Sequence, residues 1–333
     1  MASDKALYEA YQAGKSFPDI AAEYGFRLES VRGRVYRHAK RVAARQVDMP
    51  PFPVFLRGRT LALEIPRLTD FPRLQGDALV VGDIHVPCTD WTLVELLARF
   101  GEKHLPRGKR RLFIVGDLLN FDALSKYDHI ASPINMAHEL AAAEATLDHL
   151  GKVFDEIVFT LGNHDHRLFK RVEGALTETQ FGRLISDGMG GKLRVSGFGH
   201  AEVTGGGQRW RLTHPGNYSK TKGVVAAALA QKFQCNIASF HEHHVAALRD
   251  PYNRYTLLNG GGMFDPEKLA YVSLVDSTSS VMCNGFVFLR NGVGHLLTPY
   301  PSMTDWDVWR MDAAALPAIA AAQGRMERLS GVA

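Results

Sequence analysis

Three apolar runs in this chain each end in a cluster of carboxylate, imidazole or amide side chains, and this pattern constrains the fold more than any other feature. Ala78-Leu79-Val80-Val81 precedes Asp83-Ile84-His85. Leu112-Phe113-Ile114-Val115 precedes Gly116-Asp117-Leu118-Leu119-Asn120, and Ile157-Val158-Phe159-Thr160-Leu161 precedes Gly162-Asn163-His164-Asp165. Short apolar runs without polar alternation read as strands buried on both faces. Helical stretches at 91–103, 134–153 and 220–233 alternate with such strands, which implies a sheet covered by helices. Polar groups of this kind are costly to gather at strand ends unless a cation collects them.

From residue 194 onward the strands are shorter, at 209–213, 237–240, 255–258, 286–289 and 295–297, and a mixed α/β sandwich fits better than an open parallel sheet. At 333 residues, 46% hydrophobic and 22% charged, the chain reads as one large globular domain with an appendage. We expect a helical block at 1–47, a Pro-rich linker or arm at 48–76, the main domain at 77–300 and a tail at 301–333 with an Ala-rich helix at 312–322. Residues 260–280, which open on Gly260-Gly261-Gly262, read as a loop near the site. Gly205-Gly206-Gly207 reads as a hairpin turn. Cys88, Cys235 and Cys283 are odd in number and widely spaced, which fits a reducing compartment. With a polar N-terminus and no run of about 20 apolar residues, the expectation is a cytoplasmic protein without membrane contact.

The net charge of +4 is small, so any nucleic-acid argument must be local. In the N-terminal block Ser16 can cap a helix, Pro18 suits its first turn, Ala21 suits a close helix crossing, Gly25 suits a left-handed turn, and Val31 suits the apolar anchor of a second helix. These spacings resemble the helix-turn-helix families of resolvases and phage packaging proteins. The helix that follows carries Arg32, Arg34, Arg37, Lys40 and Arg41, which the resemblance makes candidates for DNA contact.

Two further clusters complete the catalytic pattern: His214 before Pro215-Gly216, and His241-Glu242-His243. In this order the five clusters resemble the calcineurin-like metallophosphoesterase superfamily across 78–298. The resemblance implies a two-sheet β-sandwich flanked by helices, here preceded by a small all-α domain. It also implies two divalent ions, of manganese or else iron or zinc, for which a ligand set of oxygen and imidazole without thiolate is suited. Asp117 would bridge them, Asp83, His85 and His243 would complete one shell, and Asn163, His214 and His241 the other. Strand pleating offers partial independent support: if the strands continue through the motifs, Asp83 and His85 share a side, His241 and His243 share a side, and His244 faces away.

By the same resemblance, hydroxide generated at the metals attacks phosphorus in line and His164 protonates the leaving group. Asn120 stands where the family places a partner of that histidine. Asp165 is read as a helix cap or a catalytic part, and Arg167 and His166 as candidates for substrate contact. Two departures stand out. Phe240 replaces the usual glycine of the last motif, and Asn120-Phe121-Asp122 breaks the Asp-Arg-Gly pattern of the serine/threonine phosphatases. Asp122 could supply the charge that Asn120 lacks.

The leading functional expectation is a DNA-directed phosphodiesterase or nuclease, a pairing of domains similar to phage or mobile-element proteins. The alternatives are a phosphodiesterase or phosphomonoesterase acting on small nucleotides, and a DNA-binding regulator with a degenerate catalytic fold.

Overall fold

The computed structural model describes residues 2–45, 70–125, 134–173, 175–186, 189–269 and 282–299, with backbone alone for 39–45. The chain divides into two compact units, Met1–Pro66 and Arg67–Ala333. The expected arm before residue 70 and the tail helix at 312–322 lie outside the described residues, as does most of the 260–280 loop.

In the first unit, α1 (Asp4–Gln12), α2 (Phe17–Tyr24) and α3 (Leu28–Arg45) pack around Leu7, Ile20, Val31 and Val35. Ser16 caps α2 by accepting from the Asp19 amide at 3.3 Å. Gly25 ends it in the left-handed region at φ 67°, which an L residue enters only at a penalty.

The second unit opens with β1 (Arg73–Gln75), which extends the sheet into the stretch read from sequence as an arm. It continues through β2 (Ala78–Val81), α4 (Trp91–His104), β3 (Arg111–Val115), α5 (Met136–Val153), β4 (Glu156–Thr160), α6 (His166–Arg171), α7 (Glu178–Ile185) and β5 (Leu193–Ser196). The hairpin of β6 (His200–Gly205) and β7 (Gln208–Thr213) follows, turning at Gly206-Gly207. Next come α8 (Val224–Phe233), β8 (Asn236–Ser239), β9 (Val245–Arg249), β10 (Thr256–Gly260), β11 (Phe286–Arg290) and β12 (Val293–Leu297).

The strands form two mixed six-stranded sheets, ordered β1-β6-β7-β8-β10-β9 and β12-β11-β2-β3-β4-β5. Strand alternation builds the layers. Ala78 and Val80 on β2, with Phe113, Val115 and Val158, meet Trp210, Leu212, Ala238 and Phe240 between the sheets. Leu79, Val81, Ile114 and Phe159 point the other way and are covered by residues such as Leu97, Leu147 and Phe181 of α4, α5 and α7. The helix α8 covers the outer face of the other sheet through Ala226 and Ala230 on Ile237 and Leu257. Sheets buried on both faces explain the unbroken apolar runs. The polar clusters fall where β2, β3 and β4 end and where β7 and β8 end, the edge of the sandwich at which α/β folds place their ligands.

Candidate metal centre

The loop after β2 follows β3 closely. The Asp83 amide donates to Gly116 O and the His85 amide to Asp117 O, both at 3.0 Å. The pleat does not continue through these residues, however. Asp83, His85 and Asp117 have φ of 51°, 52° and 50°, and His241 and His243 have φ of 79° and 53°. Asp83 and His85 therefore converge through consecutive left-handed turns, and the alternation argument made from the sequence does not describe their backbone. Non-glycine residues enter this region at roughly 1–2 kcal/mol each, and such strain persists where surrounding contacts enforce it.

Seven ligand-type side chains converge. His243 Nε2 lies 3.1 Å from Asp83 Oδ1, and His85 Nε2 lies 3.7 Å from the same oxygen. The two imidazole Nε2 atoms are themselves 3.3 Å apart. His214 Nε2 sits between the carboxylates, 3.3 Å from Asp83 Oδ1 and 3.2 Å from Asp117 Oδ2. Three groups have ligand atoms within 4.8 Å of one another: Asp83, His85 and His243; Asp117, His214 and His241; and His85, Asp117 and His164. Asp117 belongs to two of them, with His85 and His164 in one and His214 and His241 in the other. Gly162 lets the β4 loop approach so closely that an added Cβ would collide with the Asp117 carboxylate.

The electrostatics follow from this crowding. Burial raises the Asp83 pKa, but His243, His214 and His85 outweigh it and hold the carboxyl well below the carboxylate range. Asp117 is lowered likewise, burial being overcome by His214 and His164. Burial depresses His214, yet Asp117 and Asp83 raise it well above its ordinary value, and the same carboxylates raise His85. Burial takes His241 down to about 4, helped by His214. Three imidazole nitrogens gathered on one carboxylate oxygen, with no thiolate among the seven side chains, form a donor set that fits a divalent cation.

The other candidates are placed differently from the sequence expectation. Asn163 is exposed, and no hydrogen bond among the described residues engages its side chain. The Asn120 side chain does not hold His164. Its Oδ1 lies 3.2 Å from His85 Nδ1, while the Asn120 main-chain oxygen accepts from His164 Nδ1 at 2.6 Å. Arg167 Nη2 then donates to His164 Nε2 at 3.1 Å. In this arrangement His164 is a neutral ring whose Nε2 accepts, and burial holds its pKa down to about 3.

Asp165 does not cap α6 with its side chain. It is fully buried and accepts from the amides of Asp117 and Gly162 at 2.8 Å and of Leu119 at 3.1 Å, pinning the β3 loop to the β4 loop. Burial and the adjacent Asp117 push its carboxyl up to about 7. His166 is half-buried with its ring edge-on to Phe169, and burial lowers its pKa. Phe240 is buried, its ring packed over Gly82 and Gly260, so the departure from glycine is absorbed by two other glycines. His244 is buried with neither ring nitrogen hydrogen-bonded among the described residues.

Sequence reasoning missed three features here. Glu242, between two ligand-type histidines, is buried and accepts from the Ser219 amide at 3.0 Å and from Asn259 at 3.2 Å; burial pushes its carboxyl up to about 6. It ties down a loop on which Tyr218, 49% exposed, stands edge-on to His241 at 6.4 Å. Met282 Sδ lies 3.4 Å from His243 Nδ1. Only the spacing of Glu242 within its motif offered a signal.

In the first unit, Arg32 and Arg37 are exposed. Arg34 is turned inward, contrary to its reading as part of a DNA-facing set. Its Nε meets Asp4 at 2.6 Å, its Nη2 meets Ala2 O at 2.8 Å, and its guanidinium lies 4.6 Å from the centre of the Phe26 ring. The Lys40 and Arg41 side chains lie outside the described residues.

Comparison with known proteins bears on the second unit. Residues 77–225 match the calcineurin-like phosphoesterase family model. No curated protein matches the chain. Among solved structures, a Vps29 variant from Entamoeba histolytica is 17% identical, covering 66% of this chain and 89% of its own, with a TM-score of 0.36. A conserved uncharacterised protein from Streptococcus pneumoniae, described as a predicted phosphoesterase, is 15% identical over 69% and 95%, with a TM-score of 0.34. Vacuolar Protein Sorting 29 from Cryptosporidium parvum is 13% identical over 68% and 96%, with a TM-score of 0.36. Among the described residues, no helix is long and apolar enough to cross a membrane.

Proposed function

We propose that the calcineurin-like phosphoesterase domain at 77–225, completed by His241 and His243, hydrolyses phosphodiester bonds, and that its substrate is DNA. The observation that carries the hydrolytic reading is the convergence of seven buried or half-buried ligand-type side chains in three overlapping groups. Asp83, His85 and His243 would hold one divalent ion, and Asp117, His214 and His241 a second. When bound, such ions would activate water and neutralise phosphoryl charge. Manganese is the proposed metal, with iron and zinc equally compatible with the donor set.

The chain's own residues supply the rest. Arg167 lies beside His164 and presents Nη2 toward the site, where an anionic phosphoester oxygen would compete for it. Drawing Nη2 away releases His164 Nε2, and a negative charge nearby favours the protonated ring. His164 can then hold a proton at Nε2 for the leaving oxygen while Nδ1 keeps its bond to Asn120 O. Asp165 keeps the two catalytic loops in register through its three amide contacts.

The choice of DNA rests on the exposed Arg32 and Arg37 of α3, with Arg34 set aside. Each phosphate contact would add about one to the salt-dependence slope of binding. A second reading, a diesterase for small nucleotides, is favoured by Tyr218, whose exposed ring beside His241 offers a stacking face to a single base. Parallel assays on double- and single-stranded DNA, bis-p-nitrophenyl phosphate and p-nitrophenyl phosphate separate these. The DNA reading expects Arg32→Glu/Arg37→Glu to lose DNA cleavage and keep bis-p-nitrophenyl phosphate turnover. Undiminished DNA cleavage would refute it, and turnover of the monoester alone would refute diester specificity.

A further inference from the structure

The second motif lacks a carboxylate at residue 120 and has one at residue 122, and the geometry shows what the displaced carboxylate does. Asp122 is 5% exposed. Its Oδ2 accepts from Asn120 Nδ2 at 2.8 Å, and its Oδ1 accepts from Arg167 Nη1 at 3.2 Å. An ionised carboxylate only accepts, so the Asn120 amide nitrogen must face it and the Asn120 oxygen must face His85. Cys88 Sγ, 3.9 Å from the same Nδ2, agrees with that orientation. An amide oxygen also only accepts, so His85 must carry its proton on Nδ1, 3.2 Å away. Its other ring nitrogen, Nε2, is the atom turned toward Asp83 and His243.

We propose that Asp122, anchored by Arg167, is a positioning residue that sets the His85 tautomer through Asn120, so that Nε2 is presented as a ligand atom. The proposal rests on His85 being a metal ligand as read above, and it gives Asp122 and Asn120 roles which that reading leaves open. Outer hydrogen-bond partners of this kind fix ring orientation and tautomer at metal-binding histidines.

The relay makes a specific demand. Asp122 meets two donors with two accepting oxygens, whereas a carboxamide has one accepting oxygen. In Asp122→Asn the Arg167 guanidinium, which only donates, claims that oxygen. The new amide nitrogen then faces Asn120, whose amide must turn over and present its own nitrogen to His85 Nδ1. The ring answers by moving its proton to Nε2, which blocks the ligand atom. Removing Arg167 as well frees the carboxamide oxygen to return to Asn120.

The test reads the ring nitrogens of the full chain by long-range proton–nitrogen NMR, metal-free at alkaline pH, alongside calorimetric titration with manganese. Wild type should show His85 protonated on Nδ1. Asp122→Asn should show it protonated on Nε2, with affinity for the first ion reduced roughly 10–100-fold. Asp122→Asn/Arg167→Met should recover the Nδ1 proton and most of the affinity, a rescue that a merely structural role for Asp122 does not produce. A wild-type ring protonated on Nε2, an unchanged ring in Asp122→Asn, or no recovery in the double variant would each overturn the proposal. Should Asp122→Asn fail to fold, the wild-type ring decides alone. If the tautomers behave as stated but wild type binds no divalent ion, the metal reading fails and the relay stands.

Discussion

The glycine turn of the first unit and the catalytic loops of the second handle left-handed backbone in opposite ways. In the first, the turn between α2 and α3 uses Gly25, at φ 67°, with no atom near enough to meet an added Cβ. In the second, Asp83, His85, Asp117, Phe121, His241 and His243 all have positive φ, and none is glycine. A glycine turn relieves backbone strain, whereas these loops accept strain so that a functional side chain can stand at the turn. They are held by groups that do not touch the cluster's centre: Asp165 through three amides, and Glu139, 1% exposed, through the Phe121 amide. The first unit thus follows local rules, while the catalytic loops depend on long-range contacts.

The contrast can be broken or sharpened by substitution. The largest effect is expected from Asp117→Asn, because Asp117 links the group of His85 and His164 to the group of His214 and His241. Activity should fall on the order of 10³-fold and both ions should bind more weakly, while circular dichroism stays that of wild type. Retention of two tightly bound ions in calorimetry would contradict the shared position. Next, His164→Ala should lose about 10²-fold or more in kcat and still bind metal, with poor leaving groups hurt most. A loss equal for good and poor leaving groups would show that His164 does not handle the leaving-group proton.

Glu139→Gln tests the support beneath the strain. Burial raises the Glu139 carboxyl from 4.5 to about 7. The folded value lies above the unfolded one, so this contribution is fully present below 4.5 and is lost as pH rises through about 7. Wild type should therefore lose ~2–3 kcal/mol more than the variant across that window, as read from denaturant midpoints at several pH values. Asp165 and Glu242 are raised as well, but they are present in both proteins, so the difference isolates Glu139. Parallel curves for the two proteins would remove Glu139 from the account. The smallest effect is Gly25→Ala, which should cost ~1 kcal/mol through backbone strain alone. A much larger loss of thermal stability would mean that the first unit, too, depends on more than its local turn chemistry.

Much of the fold was legible because its signals are local. Val80 and Val81 needed burial on both faces, Ser16 and Gly25 marked helix ends, and the polar clusters announced where strands stop. Elements with weak local signals were missed, such as α7, where Phe181 and Ile185 are the buried residues of a mostly exposed helix, and β5, whose residues are only half-buried. In the site, the residue types were legible and their partners were not. Asn120 was matched to the wrong histidine because its side chain and its main-chain oxygen serve different rings. Arg34 looked like part of a continuous basic face, but Asp4, thirty positions earlier, claims it.

By itself, the sequence determined the class of sheet, the order of the clusters and the chemistry of their donors, because apolar runs and ligand types are properties of single segments. Only the tertiary structure decided which atoms meet. Left-handed turns at Asp83, His85, His241 and His243 replaced the pleat that the sequence implied, and Asn163 was left exposed. Arg167 was placed against His164, and Asp122 came to govern His85 from across the loop. The meetings of His243 with Asp83 and of His85 with Asn120 depend on contacts between segments far apart in the chain, where the hydrogen-bonding capacity of one side chain limits the state of the next.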